Sequence, residues 1–104
     1  MTHTLHQPDE TLRELLENQL REHTDKLTEL TGHARRRDRG GHDPDTLGRL
    51  IDTARQTVAD TTTALRRMAD GSYGRCERCD GEIPAARLEI LPAARYCVPC
   101  QQRR

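Results

Sequence analysis

Two cysteine pairs, Cys76-x-x-Cys79 and Cys97-x-x-Cys100, stand 17 residues apart and are the only cysteines of the chain. Two intervening residues let the backbone fold back so that both sulfurs of a pair can grip one side of a metal ion. Two such grips make a tetrahedral thiolate cage, the geometry of a structural zinc site. The spacing therefore predicts one Zn²⁺ held by Cys76, Cys79, Cys97 and Cys100. A sphere closed by four thiolates keeps no position for water, so a hydrolytic zinc is not expected.

The cage matters because the last third of the chain has little else to hold it together. The 104 residues include no Phe, no Trp and two Tyr, and 33% are charged. Segments shorter than ~70–80 residues usually need a staple of this kind. No apolar run reaches transmembrane or signal-peptide length, so a cytoplasmic protein is expected. In that compartment thiols stay reduced, which favours metal over disulfide; a redox pair would also sit in a βαβ pattern, absent here. Arg75, Arg78 and Arg95 lie close enough in sequence to offset the residual charge of four thiolates on one dication.

Ahead of the cysteines, the apolar residues fall into two narrow stripes. Leu12, Leu16, Leu20, Leu27 and Leu30, with Leu15 beside them, follow a possible cap at Asp9. Leu47, Leu50/Ile51, Ala54, Val58, Thr61, Leu65 and Met68 follow Asp43-Pro44, where Asp43 suits the N-cap and Pro44 the first helical position. Steps averaging near 3.5 residues predict two helices with coiled-coil seams. Gly32 reads as the stop of the first, and Asp70-Gly71-Ser72 ends the second. The fold expected is mainly α: a flexible leader at 1–8, an antiparallel coiled-coil hairpin at 9–70 with a tip loop near 32–43, and a four-cysteine module at 71–104. Within that module Tyr73, Ile83, Leu88, Ile90 and Leu91, with Tyr96, are the expected core.

Formal net charge is zero, so no global field favours nucleic acid or membrane. The distribution is uneven. Residues 9–30 carry seven acids against three bases, whereas the loop holds Arg35, Arg36, Arg37 and Arg39 around Asp38. A cluster at a hairpin tip is placed to reach a partner. No aromatic residue lies near it for base stacking. His33 and His42 flank it and read as exposed loop histidines. Asp43 and Asp45 read as caps of the second helix, with a partner-binding role at the tip, beside Arg35, Arg36, Arg37 and Arg39, as the alternative. The chain has no phosphate loop, no nucleophile elbow and no zinc-enzyme motif, so it is not expected to be an enzyme.

The stretch Tyr73-Gly74-x-Cys76-x-x-Cys79, with Arg87-Leu88-Glu89, Pro92 and Cys97-x-x-Cys100-Gln101, resembles the DksA/TraR family of four-cysteine zinc-finger transcription regulators. The resemblance covers about residues 71–101. It implies a hairpin beside a globular finger. It also implies RNA polymerase as partner, bound through the secondary channel by a monomer to modulate initiation, with direct DNA binding not expected. Some members cooperate with the alarmone ppGpp. Here the basic positions that serve it correspond to Thr53, Asp60, Leu91 and Gln101, so ppGpp dependence is not expected. The family's acidic tip, Asp-x-x-Asp-x-Ala, is replaced by Asp43-Pro44-Asp45 after four arginines. The Gly after the second cysteine is Asp80, a residue that tolerates positive φ better than most. Two other readings are a nucleic-acid-binding zinc protein using Arg35–Arg39 and a structural or adaptor hairpin.

Overall fold

The computed structural model describes residues 10–103; the leader at 1–8 and the cap at Asp9 lie outside the described residues. Four helices follow in order: α1 (Glu10–Ala34), α2 (Pro44–Asp70), α3 (Ala85–Ile90) and α4 (Val98–Gln102). α1 and α2 run antiparallel as a hairpin, and the short helices belong to the module that follows. At 1.5 Å per residue the two long helices measure about 38 and about 40 Å, within a molecule 58 Å along its longest axis.

The seam shows its period in burial. Leu47, Ala54, Thr61 and Met68 of α2 are buried, with Ala64 beside them. The first four recur every seventh residue, as a two-helix seam requires. α1 answers with Leu16 and Leu30. Leu15, on the neighbouring face, is 46% exposed. Two apolar clusters result. One joins Leu30, Leu47 and Ala54 near the loop end. The other joins Leu16, Ala64 and Met68 to Tyr73, Ile83 and Leu88 of the finger. Between them the seam turns polar: Thr61 is fully buried, and neither its hydroxyl nor the side-chain Oε1 of Gln19 finds a hydrogen-bond partner among the described residues.

Helix ends follow capping chemistry. Asp43 caps α2, accepting from the Thr46 N–H at 2.8 Å, with Pro44 in the first turn. Gly71, at φ 85°, takes the left-handed position that ends α2. The Arg67 carbonyl then accepts from Ser72 N and Tyr73 N, turning the chain into the finger. α1 does not stop at Gly32. It continues through His33 to Ala34, so the tip is shorter than the spacing predicted. A single glycine costs a helix only about 1 kcal/mol. His33 recovers packing there: it is partly buried, its ring tilted toward His42 at 5.7 Å, and Gly40 lies against it so closely that a Cβ at 40 would sit 2.4 Å from Nδ1. His33 is therefore a helical, half-buried residue rather than an exposed loop histidine.

Candidate functional site

The first cysteine pair sits on a tight turn built by backbone bonds. The Asp80 N–H donates to the Cys76 carbonyl at 2.9 Å, and the Cys76 N–H donates to the Gly81 carbonyl at 2.8 Å. Asp80 takes φ 65°, the conformation its place after the second cysteine demands. The turn also aims N–H groups at sulfur: Arg78 N donates to Cys76 Sγ and Gly81 N to Cys79 Sγ, each at 3.4 Å. The second pair opens α4, with Cys97 as its N-cap, and the Gln101 N–H donates to the Cys97 carbonyl at 2.9 Å. One pair thus comes from a turn and the other from the first turn of a helix.

All four Sγ atoms lie within 4.8 Å of one another. Zinc bound tetrahedrally at about 2.3 Å per thiolate separates its sulfurs by about 3.8 Å; Cys79 Sγ and Cys97 Sγ are 3.8 Å apart. The donor set, the spacing and the N–H groups directed at sulfur all fit one zinc ion, which the four cysteines would hold. Cys76 and Cys100 are buried, whereas Cys79 is exposed. Burial opposes ionisation of the Cys76 thiol, but the N–H groups of Cys79, Cys97 and Arg78 outweigh it and hold its pKa at about 6. Cys100 is pushed up to about 12, by its hydrogen bond with the Cys97 sulfur and by burial. Cys76 is therefore readier than Cys100 to bind as thiolate.

The cage stands on a small core. Tyr73, Ile83 and Leu88 are each no more than 3% exposed, and the Tyr73 hydroxyl donates to the Pro92 carbonyl at 2.8 Å. Ile90 and Leu91 depart from expectation, at 78% and 49% exposed. α3 has six residues and buries one of them, Leu88, leaving its last turn at the surface. Tyr96 packs partly against the core as expected.

Two of the three arginines near the cysteines, Arg75 and Arg95, pair with carboxylates. Arg95 donates to both oxygens of Glu77, at 2.9 and 2.8 Å, and to Asp60 of α2 at 3.2 Å. Glu77 also accepts from Arg67 of α2 at 3.0 Å. The guanidinium of Arg95 thereby keeps the Glu77 carboxyl below its ordinary pKa. Arg75 reaches Asp80 at 3.4 Å. This lattice ties the finger to α2 beside the apolar cluster. Its members are up to 35 residues apart in sequence, which is why periodicity and spacing miss it.

A cleft of about 590 Å³ opens where α1, α2 and the finger meet, lined in part by Gln19, Asp60, Thr61, Arg87, Leu91 and Gln101. Three of the four positions that the family resemblance associates with ppGpp are thus gathered around one cavity, while Thr53 lies on α2 outside it. At the far end of the hairpin, Arg35, Arg36, Arg37, Arg39, Asp43 and Asp45 are all exposed.

Comparison with known proteins agrees with this architecture. Residues 71–104 match the family model described as the prokaryotic dksA/traR C4-type zinc finger. The RNA polymerase-binding transcription factor DksA of Caulobacter vibrioides is 40% identical over 83 residues, covering 78% of this chain and 57% of that protein. General stress protein 16O of Bacillus subtilis is 45% identical over 47 residues, covering 45% of this chain and 29% of that protein. The chain thus spans little more than half the length of the former and under a third of the latter. Among solved structures, transcription factor DksA2 from Pseudomonas aeruginosa superposes with a TM-score of 0.68 at 26% identity, over 95% of this chain and 91% of that one. Residues 71–104 are thus a dksA/traR C4-type zinc finger, on a chain whose fold is shared with a transcription factor of that kind.

Proposed function

We propose that the chain is a cytoplasmic, monomeric regulator that binds RNA polymerase and modulates initiation, its hairpin entering the secondary channel and its finger fixing the hairpin base. The observation that carries this reading is the rigid two-helix arm rooted on the zinc module, an arrangement shared over nearly the whole chain with a transcription factor. A relative named for polymerase binding supports the partner. Zinc acts in this reading as a structural ion only, and the chain works by binding rather than by catalysis. No helix among the described residues is long and apolar enough to cross a membrane.

We further read the activity as independent of ppGpp. A polyphosphate needs uncommitted cations, and the junction cleft offers few. Asp60 brings a negative charge, and Leu91 and Gln101 bring none. Arg95 is committed to Asp60 and Glu77, and Arg87 spends its Nε on the Tyr96 carbonyl at 3.3 Å. At the tip, both oxygens of Asp43 are engaged by Thr46, one by the N–H and one by the hydroxyl. The tip residues Arg35, Arg36, Arg37, Arg39, Asp43 and Asp45 then form the leading end of the arm.

Capture on core polymerase tests the reading, with a known secondary-channel protein as competitor and ppGpp as a separate titrant. Binding should be lost to the competitor and unchanged by ppGpp. Binding indifferent to the competitor would reject the channel, and binding strengthened by ppGpp would reject the independence.

A further inference from the structure

We propose that the hairpin tip is a phosphate-binding surface for single-stranded nucleic acid. The proposal deepens the polymerase reading, which supplies only the place where such a strand would be met.

The tip is a folded platform. Successive turn bonds run through it: Arg35 N to the Gly32 carbonyl, Arg36 N to His33, Arg39 N to Arg36, Gly41 N to Asp38 and His42 N to Arg39, all between 2.9 and 3.2 Å. Arg39, Gly40 and Gly41 take φ of 53°, 63° and 86° in succession. Gly40 is pressed onto the His33 ring of α1, which holds this left-handed segment against the last helical turn.

The platform presents four cations beside three acids, of which Asp38 and Asp43 are hydrogen-bonded within the tip and Asp45 is exposed. Arg35, Arg36, Arg37 and Arg39 are exposed, and none of their guanidinium groups has a hydrogen-bond or ion-pair acceptor among the described residues. Asp38, the acid between them, is exposed and accepts from Gly40 N through one oxygen at 3.0 Å. Asp43 accepts from Thr46 through both oxygens. The tip's own hydrogen bonds thus engage two of its acids and leave four forked donors free, a set suited to phosphate oxygens.

An acidic protein surface fits less well. Protein interfaces rest on buried apolar or aromatic anchors. The exposed large apolar residues among those described are Leu15, Ile90, Leu91 and Val98, none of them in the tip. A phosphodiester strand needs no such anchor. Without aromatic residues to stack bases, recognition is of the backbone and indifferent to sequence.

The test titrates a labelled single-stranded RNA oligonucleotide with the zinc-loaded chain across a salt series, without polymerase. The variant carries Arg35→Ala, Arg36→Ala, Arg37→Ala and Arg39→Gly, glycine relieving the positive φ at 39. Zinc content and helical circular dichroism verify its fold. Each phosphate contact on a single strand adds about 0.7 to the slope of log affinity against log salt. The variant should therefore bind at least tenfold more weakly at low salt, its slope shallower by about 2–3. A second variant with lysine at all four positions should keep most of the slope. Undetectable binding by the natural chain at low salt, an unchanged slope in the alanine variant, or equal affinity for poly-glutamate would each overturn the proposal. Polymerase capture run in parallel separates the two readings. A natural chain that binds RNA but not polymerase overturns the polymerase reading and leaves this one standing.

Discussion

The two ends of the hairpin are held by different physics. At the base, eight buried residues form one cluster across α1, α2 and the finger. The cage and the ion-pair lattice of Asp60, Arg95, Glu77 and Arg67 reinforce it. At the tip, three buried residues close the seam, and the loop is shaped by turn bonds and a glycine packed on a histidine. Between them lies a seam of small and polar side chains that contributes little hydrophobic energy. Apolar volume is scarce in a chain with two aromatic residues, and it is concentrated where the arm must be anchored. The loop beyond those three residues is shaped by local contacts, so its exposed side chains can change without disturbing the anchor.

Removing zinc should break this comparison most strongly. Structural zinc contributes roughly 10–16 kcal/mol in small finger peptides, and the finger core here is a handful of side chains. Chelation should abolish the dispersed amide spectrum of residues 72–103 while much of the helical circular dichroism of α1 and α2 persists. Helicity lost in parallel with zinc would mean that hairpin and finger fold as one unit.

A smaller effect compares the two clusters directly. Leu16 is 0% exposed at the base and Leu30 is 3% exposed at the tip. Truncating a buried leucine to alanine costs about 2–5 kcal/mol, depending on how far the surroundings collapse. Leu16→Ala, boxed in by both helices and the finger, should fall at the upper end, and Leu30→Ala, beside a loop free to settle, at the lower end. Urea melts of the two variants check the order, and equal losses would contradict the contrast.

The smallest effect lies in the cap. Asp43→Ala should lower stability only slightly, by the loss of one N-cap. Hydrogen bonds from Thr46 hold the Asp43 carboxyl below its ordinary pKa of 3.8. The cap's ionic contribution is therefore fully present above that value and fades as pH falls through the lowered folded pKa. Comparing melts of Asp43→Asn and the natural chain between pH 5 and 2.5 isolates it: the difference should shrink toward the acid end.

Much of this architecture is legible in the sequence because local rules govern it. The cysteine spacing names the cage, the Asp43-Pro44 pair names the start of α2, and seven-residue steps name the seam. Where several elements converge, local rules fail. Gly32 reads as a stop, yet packing between His33 and Gly40 carries α1 past it. Ile90 and Leu91 read as core, yet α3 is too short to bury more than Leu88. Arg95 reads as a partner for thiolates, yet Asp60, brought alongside by the hairpin, and Glu77 claim it. The cleft leaves no trace in the sequence, since its lining comes from three separate segments.

The lattice at the base has a mechanical consequence. A two-helix arm about 40 Å long is a lever, and a tilt of about 3° where it is rooted moves its end by about 2 Å over that length. That displacement is enough to separate a guanidinium from an oxygen it would otherwise grip. Angular tolerance at Arg95 and Glu77 therefore sets positional tolerance at Arg35–Arg39, and a substitution in the lattice should be felt farthest from where it is made.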